Sequence, residues 1–206
     1  MRFYRYPKWL RTLYPGAIWD FFSHKNKSIY LTFDDGPTEH ITPAVLDILD
    51  QFNAKATFFC LGKNTENHAG IFAQIKAKGH RIGNHGMNHL NGYVNNDEVY
   101  LNDAKQGFEK TQSKLFRPAY GRLKRSQFRL LKKEGYQIIL WSVLSYDFDK
   151  TITPEKIIQV LEKNVKPGSI IVFHDSEKAW PNLKVVLPTI IERWKERGYK
   201  FESITV

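Results

Sequence analysis

Residues 28–37 read SIYLTFDDGP, a stretch that joins a strand pattern to two acidic residues and a turn. The first six residues are rich in β-branched and aromatic side chains, which predicts a strand over residues 28–33. Asp34 and Asp35 follow directly, and Gly36-Pro37 is a dipeptide typical of turns. Such an acidic turn is most often structural when it stands alone, because Asp side chains hydrogen-bond to nearby backbone groups. The role of these two carboxylates therefore depends on what the fold brings beside them.

The rest of the chain alternates short strand patterns with helical ones. Further strands are predicted at residues 56–60, 81–83, 115–118, 137–141, 169–173 and 201–204. Helices are predicted at residues 42–52, 71–78, 97–111, 126–134, 154–164 and 183–197. Thr42 is the predicted N-cap of the first helix. This alternation predicts an α/β fold of parallel strands joined by crossover helices.

Two architectures fit that alternation, a doubly wound sheet and a (β/α) barrel. A complete eight-stranded barrel typically needs about 250 residues, whereas this chain has 206. A reduced or distorted barrel therefore fits the length better than a complete one. Both architectures place functional groups beyond the carboxyl ends of the strands.

The composition indicates one domain with a basic surface. Hydrophobic residues make up 42% of the chain, which is enough for a single sizeable core. The 31 basic and 21 acidic residues give a net charge of +10, which favours anionic partners without choosing among them. Basic residues concentrate at residues 2–11 and 122–133, where a solvated surface is the simplest interpretation. No nucleic-acid-binding motif accompanies the charge, so no nucleic-acid partner is expected.

Cysteine usage and hydropathy restrict the chain further. Cys60 is the only cysteine, which excludes an internal disulfide, and its apolar surroundings predict a buried residue. Residues 1–22 mix basic and aromatic residues without the apolar run of a signal peptide, and no segment approaches the ~20 apolar residues of a membrane span. We therefore expect no transmembrane segment and a cytoplasmic location by sequence, with cell-envelope association left open.

Polar residues capable of chemistry fall where the predicted strands end. They are Asp34 and Asp35 after residues 28–33, His85 and His89 after residues 81–83, Arg117 and Tyr120 after residues 115–116, Asp147 after residues 137–141, and His174 after residues 169–173. Because parallel strands end at the same edge, we expect these side chains to meet at one rim.

The residue types at this rim match those of a hydrolytic metal centre. A His pair at positions i and i+4 arises easily by chance in a chain with seven histidines, and a single His after a buried strand is usually structural. Together, however, two imidazoles and one carboxylate with an open fourth position are typical of catalytic zinc. A second carboxylate can take a proton from water, and another histidine can protonate a leaving nitrogen. The set predicts metal-assisted hydrolysis of an amide or ester.

Four motifs, in this order, resemble those of the polysaccharide deacetylases of carbohydrate esterase family four, the NodB-like family. Residues 32–37 (TFDDGP) reproduce the first motif in full. Residues 84–89 (NHGMNH), 117–121 (RPAYG) and 171–175 (IVFHD) resemble the second, third and fifth. The resemblance runs from about Ser28 to the C-terminus and implies a distorted (β/α) barrel with fewer than eight strands. We expect a catalytic domain at residues 28–206 and a basic, aromatic N-terminal extension at residues 1–27 that packs on it.

The resemblance also implies a role for each matched residue. Asp34 would be the general base, oriented by Arg117, and His174 would be the general acid. The backbone N–H of Tyr120 would help to hold the oxyanion. A divalent metal ion, expected to be zinc with cobalt or nickel as alternatives, would be held by Asp35, His85 and His89. Substrate contacts are expected from Pro118, Tyr120, Asp147, Phe148 and Ile171, the last two as an apolar wall near the acetyl methyl group.

Two positions depart from the family motifs. Gly86 stands where the second motif usually carries Ser or Thr, and the missing hydroxyl predicts a less firmly braced metal loop. Leu144 stands where the fourth motif should carry an Asp that pairs with the catalytic histidine. Without that carboxylate we expect a lower pKa for His174 than in a typical member, since a nearby anion favours the imidazolium. Spacing does not decide whether Asp147 compensates in part.

The predicted function is removal of N-acetyl groups from an N-acetylglucosamine-containing polysaccharide, such as peptidoglycan or a chitin-like oligomer, with release of acetate. Two alternatives stay open: an O-acetyl esterase or small-amide hydrolase with the same site, and a carbohydrate-binding protein whose catalysis is weakened by Gly86 and Leu144. The glycan substrate is the expected partner, and the sequence does not predict an oligomeric state. Aromatic residues that could stack on sugar rings are Tyr4, Trp9, Trp19, Tyr93, Tyr146 and Trp180. Packing on the barrel exterior is the favoured interpretation for Tyr4, Trp9 and Trp19.

Overall fold

The computed structural model describes residues 4–6, 8–22 and 27–206, and its centre is a parallel sheet. The strands are β1 (Ser28–Asp34), β2 (Ala56–Cys60), β3 (Arg81–Asn84), β4 (Leu115–Phe116), β5 (Gln137–Ile138), β6 (Val143–Leu144), β7 (Ile170–His174) and β8 (Lys200–Phe201). Seven of them form one curled path in the order β5-β4-β3-β2-β1-β7-β6, and the short β8 pairs with the beginning of β1 outside this path. The predicted distorted barrel is thus confirmed as a half-barrel of seven parallel strands.

Helices surround this half-barrel, and each predicted helix is present. The α-helices are α1 (Ile41–Gln51), α2 (Gly62–Asn67), α3 (Ala69–Ala77), α4 (Asp97–Thr111), α5 (Arg125–Lys133), α6 (Pro154–Asn164) and α7 (Trp180–Glu196). Short 3-10 helices cover Lys8–Leu13 and Ala119–Gly121. Helix α6 begins as its sequence predicts, because the Thr153 side chain accepts a hydrogen bond from the backbone N–H of Lys156 and Pro154 occupies the first turn. None of the helices in the described ranges has the length and apolarity needed to cross a bilayer.

Some local predictions from the sequence are wrong, and two short elements were missed. Thr42 lies inside α1 and does not cap it, because its hydroxyl donates to Asp175 at 2.6 Å. The strand predicted at residues 137–141 ends at Ile138, and the separate two-residue β6 was not predicted. Helix α2 was also missed, because Leu61 precedes it and offers no side-chain cap.

Apolar packing covers both faces of the central strands. All seven residues of β1 are buried. The rings of Phe33 and Phe58 stack at 5.0 Å, and those of Phe33 and Phe173 at 5.9 Å, within a core shared with α1, α6 and α7. Cys60 is buried and unpaired, as predicted. Each large apolar side chain contributes about 1.5–3 kcal/mol on burial. The packing therefore holds the strands, and with them the residues at their carboxyl ends, in fixed positions.

Part of the N-terminal segment packs along β5. The backbone N–H of Ile18 donates to the Ile138 carbonyl at 2.9 Å, and the Ile18 carbonyl accepts from Leu140 at 2.7 Å. Trp19 is buried, with 5% of its surface exposed. Trp9, in contrast, is 62% exposed, so exterior packing was the wrong interpretation for that residue. The boundary between an extension and a catalytic domain at residue 27 stays a prediction.

Candidate active site

The ends of several strands bring the predicted site residues to one rim of the half-barrel. Asp34 is the last residue of β1 and lies in register with His174, the last residue of β7. His85 follows β3 directly, and Arg117 follows β4. Asp147 lies three residues beyond β6. The structure therefore assembles these residues where parallel topology places them, while their catalytic roles stay predictions.

Asp35, His85 and His89 each present a ligand atom within 4.8 Å of the others. Asp35 Oδ1 lies 3.7 Å from His85 Nε2 and 3.3 Å from His89 Nε2. This oxygen is buried and has no hydrogen-bond partner among the described residues. Asp35 and His89 both adopt left-handed backbone conformations, at φ 84° and 60°, which are costly for non-glycine residues and cluster at functional sites. A buried, unpartnered carboxylate oxygen beside two imidazole nitrogens fits a divalent cation.

The protonation of these groups also suits metal binding. Burial lowers the pKa of His85, which favours the neutral imidazole. Its Nδ1 lies 2.7 Å from the backbone carbonyl of Arg117, and since a carbonyl only accepts, Nδ1 carries the hydrogen and Nε2 keeps its lone pair. Burial alone would raise the pKa of Asp35, but interaction with His89 and the other imidazoles of the rim outweighs burial and holds the pKa below its ordinary value. Asp35 and His85 are therefore in the protonation states that metal ligands need.

The loop between the two histidines is braced by α4. The Asp103 carboxylate accepts hydrogen bonds from the backbone N–H groups of Met87 and Asn88, at 3.0 and 2.9 Å, and from the Asn88 side chain at 2.9 Å. Gly86 has φ +83°, and a Cβ atom there would collide with Asp103 Oδ2. Asp103 therefore fills the space that Ser or Thr at position 86 would need, and it supplies bracing that Gly86 lacks. Sequence reasoning missed Asp103, whose only signal is an acidic residue at a buried position of a helix.

Arg117 holds Asp34 in place from inside the barrel. Its Nη1 donates to Asp34 Oδ1 at 2.7 Å and to the Thr32 hydroxyl at 2.6 Å. Its remaining donors reach the backbone carbonyls of Ile139 and Leu140 at 3.3 and 3.2 Å. Burial lowers the pKa of Arg117, yet a guanidinium stays charged at any physiological pH. This charge-assisted pair fixes the orientation of the Asp34 carboxylate.

His174 pairs with the buried carboxylate of Asp147. His174 Nδ1 lies 2.8 Å from Asp147 Oδ1, and the His174 backbone N–H donates to Asp147 Oδ2 at 2.8 Å. Burial alone would lower the pKa of His174, but the Asp147 carboxylate outweighs it, and the pKa is raised to about 9. Asp147 thus supplies a carboxylate partner for His174 where Leu144 does not, while the lower pKa relative to a typical family member stays a prediction. Asp147 is fully buried, so its predicted contact with substrate is wrong, and it positions the histidine instead.

The other expected substrate contacts divide between the rim and the interior. The Phe148 ring packs edge-on against His174 at 4.9 Å. Tyr120 is 58% exposed, and its ring lies 4.5 Å from one imidazole of the metal site. Pro118 is buried in front of the turn that carries Tyr120. Ile171 is fully buried in the core shared with α7, because alternate residues of β7 face the helices, so its predicted place beside the acetyl group is wrong.

Asp175, to which the sequence assigned no role, holds the turn that carries Asp35. Its carboxylate accepts from the backbone N–H of Gly36 at 3.1 Å and from the Thr42 hydroxyl at 2.6 Å. A Cβ atom on Gly36 would overlap this carboxylate, so only glycine fits. Burial raises the pKa of Asp175 to about 8. The sequence offered one signal for a role of Asp175 at the site, namely its place directly after His174 at the end of a buried strand.

Fold and site together define a hydrolase with a candidate metal site and two buried charged pairs, Asp34–Arg117 and His174–Asp147, at the rim of a half-barrel. Residues 23–139, more than half of the chain, match the family model described as polysaccharide deacetylase. A peptidoglycan-N-acetylglucosamine deacetylase of Bacillus cereus is 37% identical over 189 residues, which cover 88% of each chain. A chitooligosaccharide deacetylase of Azorhizobium caulinodans is 34% identical over 160 residues, covering 74% of this chain and 76% of that protein.

The fold has a close counterpart among solved structures. The crystal structure of the Bc1960 peptidoglycan N-acetylglucosamine deacetylase superposes with a TM-score of 0.87 at 32% identity, covering 95% of this chain and 93% of that one. The chain belongs to the polysaccharide deacetylase family, and it is a hydrolase of the class that acts on carbon–nitrogen bonds. Enzymes of this family are generally metal-dependent, in agreement with the Asp-His-His site.

Proposed function

We propose that this chain removes N-acetyl groups from N-acetylglucosamine residues of a polysaccharide, either peptidoglycan or a chitin-like oligomer, and releases acetate. The deacetylase names of its relatives support this substrate class. One observation carries the proposal, namely the presence of three functional groups on one rim. These are the base pair Asp34–Arg117, the metal centre Asp35–His85–His89 and the acid pair His174–Asp147.

Asp34 and His174 transfer the protons in this mechanism. Arg117 bonds Asp34 Oδ1, which leaves Oδ2 to accept a proton from the water that attacks the acetyl carbon. His174 is protonated at neutral pH because its pKa is about 9, and it gives its Nε2 proton to the departing amine nitrogen. Water is thereby added across the C–N bond, and acetate and a free amino sugar leave.

Asp35, His85 and His89 would hold the divalent cation, for which we propose zinc, with cobalt or nickel as alternatives. When bound, the ion supplies Lewis-acid chemistry at the acetyl carbonyl. The protein's contribution is a rigid set of ligands. The hydrogen bond from His85 to the Arg117 carbonyl and the Asp103 bracing of the loop both limit movement of the imidazoles.

The test is release of acetate from tetra-N-acetylchitotetraose by chelator-treated protein, with and without added zinc or cobalt. We expect release only with metal, and a loss of at least about 100-fold in the Asp34→Asn variant, because the base is removed. Glu98→Gln, an exposed carboxylate change at the start of α4, is the matched control and should leave the rate unchanged.

Two outcomes would contradict the proposed function, and a third would contradict the role of Asp34 in it. Binding of the oligomer without release under any metal favours the carbohydrate-binding alternative. Acetate release from an O-acetylated xylooligosaccharide, but none from chitotetraose, favours the esterase. Release that persists in Asp34→Asn would assign the base to another residue.

A further inference from the structure

The orientation of the proposed base depends on Arg117, and the placement of Arg117 depends on the segment that follows β5. Arg117 is fully buried, and its Nη1 donates to Asp34. The Nε and Nη2 groups donate to the backbone carbonyls of Ile139 and Leu140, at 3.3 and 3.2 Å. A guanidinium is planar and rigid, so fixing these two groups also fixes the direction of Nη1. The position of residues 139 and 140 therefore decides where Asp34 is held.

Trp141, the next residue, contacts both Arg117 and the turn that carries Tyr120. The guanidinium carbon of Arg117 lies 5.7 Å from the centre of the Trp141 ring, and Trp141 is buried. A Cβ atom on Gly121 would lie 2.7 Å from the same ring, so the ring packs against the backbone directly after Tyr120. Burial removes water from between a cation and a ring, which strengthens their attraction. Trp141 therefore connects the residue that holds the base with the turn expected to hold the oxyanion.

The segment that carries these groups lies at an edge of the half-barrel. Strand β5 has two residues and is the last strand on one side of the sheet. The backbone N–H of Ile18 donates to the Ile138 carbonyl at 2.9 Å, and the Ile18 carbonyl accepts from Leu140 at 2.7 Å. An edge strand leaves its outer backbone groups unpaired unless another segment covers them. Part of the N-terminal segment thus takes the place of a further strand and holds residues 138–140.

Two aromatic residues of the same N-terminal segment belong to the packing around Trp141. The Tyr6 ring lies 5.1 Å from the Trp141 ring and 5.3 Å from the Trp19 ring, edge-on to both. Trp19 is buried and directly follows Ile18 in the chain. The Tyr6 hydroxyl would also lie 2.7 Å from a Cβ atom on Gly121. Tyr6 therefore contacts both Trp141 and the turn that Trp141 contacts, and it limits the movement of both.

We propose, on the basis of the proposed deacetylase function, that Tyr6 is a positioning residue for the base. Tyr6 holds Trp141, and Trp141 limits the movement of Arg117. Arg117 in turn orients Asp34. Tyr6 and Trp141 lie outside residues 23–139, the part matched by the family model, so the family match does not describe this connection. Because a reaction rate depends steeply on the geometry of the reacting groups, a displaced base reacts slowly even when substrate and metal bind normally.

The first test is acetate release from tetra-N-acetylchitotetraose by zinc-loaded Tyr6→Leu protein. We expect kcat to fall about tenfold, while KM and the dissociation constant for zinc change less than about twofold. Tyr6→Phe keeps the ring and should keep kcat within about twofold of the parent value. Each variant is assayed at a temperature at which circular dichroism shows it to be folded.

Tyr199→Leu is the matched control for a general loss of packing. Tyr199 is also a partly buried tyrosine that packs on the core, but it precedes β8, which pairs with the beginning of β1, at the opposite end from the site. We expect Tyr199→Leu to leave kcat unchanged. An unchanged kcat in Tyr6→Leu, an equal loss in Tyr6→Phe, or an equal loss in Tyr199→Leu would each overturn the positioning role.

A double-mutant cycle tests whether Tyr6 acts through Trp141. Trp141→Leu alone should lower kcat at least as much as Tyr6→Leu. The double variant should lose no more than Trp141→Leu alone, because the ring through which Tyr6 acts is already absent. Losses that multiply would show two independent effects and would overturn the connection.

The placement of Arg117 also has a readout that does not require activity. Its buried Nε–H, hydrogen-bonded to Ile139, should exchange slowly with solvent and give a resolved NMR signal. Tyr6→Leu should accelerate this exchange at least about tenfold, whereas Tyr199→Leu should leave it unchanged. Unchanged exchange in Tyr6→Leu would overturn the positioning role even if kcat falls. Absence of acetate release by the parent would contradict the proposed deacetylase function, and the exchange measurement would still decide whether Tyr6 holds Arg117.

Discussion

Replacement of Asp147 by Asn tests the proposed role of the His174–Asp147 pair in protonating the leaving nitrogen. Asp147 Oδ1 lies 2.8 Å from His174 Nδ1, and the pKa of His174 is about 9, compared with 6.5 for an unperturbed histidine. Asn keeps the shape of the side chain and removes its charge. Burial, which lowers the pKa of a histidine, then acts without the opposing anion. We expect the pKa of His174 in the variant to fall to 6.5 or below.

The change in pKa converts into a pH-dependent loss of rate. A pKa of about 9 leaves roughly 90% of His174 protonated at pH 8, whereas a pKa of 6.5 leaves roughly 3%. Since only the imidazolium can protonate the leaving nitrogen, kcat should fall about 30-fold at pH 8 and less than about twofold at pH 6. The assay is acetate release from chitotetraose by zinc-loaded protein from pH 5.5 to 10. The alkaline limb should move to lower pH by at least about 2.5 units, the difference between the two pKa values.

An equal loss at pH 6 and pH 8 would refute this reasoning, because it would show that His174 protonation does not limit the rate. Glu177→Gln, an exposed carboxylate three residues beyond His174, is the control for charge and should keep the parent's pH–rate profile.

The stability of the protein against pH gives a second readout of the His174 pKa. Because the folded pKa of His174 lies above its unfolded value, its stabilisation is complete below about pH 6.5 and is lost as pH rises through about 9. In urea titrations of metal-free protein, the free energy of unfolding should fall by roughly 3 kcal/mol as pH rises through this range. The Asp147→Asn variant should not show this fall.

Three further substitutions test the residues that hold the site. Asp103→Ala should raise the dissociation constant for zinc about 10–100-fold, measured by competition with a chromophoric chelator, because the metal loop loses its bracing; an unchanged constant would contradict this. Arg117→Met should lower the free energy of unfolding by about 3–5 kcal/mol in urea titrations, since it leaves Asp34 buried without its partner; a loss below about 1 kcal/mol would count against the buried pair. Gly36→Ala should destabilise the protein by more than about 2 kcal/mol and reduce zinc affinity, because its methyl group would overlap the Asp175 carboxylate; wild-type values for both would contradict the packing.

The fold could be predicted from the sequence wherever an element is long enough to show its period. Helices α4 and α6 agree with their predicted bounds at residues 97–111 and 154–164, because both have several turns and α6 has a clear start signal. Strand β6 has two residues and shows no alternation, so nothing in the sequence separates it from β5. Its position is set by pairing with β7, where Val143 lies opposite Ile171. That pairing joins segments far apart in the chain, and local periodicity carries no information about it.

The same distinction separates the site residues that were predicted from those that were missed. Asp34 and His174 end strands, and topology alone brings strand ends together. Asp103 was missed, Asp175 was given no role, and Asp147 was expected to contact substrate. Their carboxylates act across 16, 139 and 27 residues, respectively, and the sequence pattern does not indicate these partners. All three are nonetheless buried, and an unpaired buried carboxylate is too costly to persist, so each must meet donors. In this protein those donors belong to the loop between His85 and His89, to His174 and to the turn after β1, so the buried acids rigidify the candidate site and do not merely stabilise the fold.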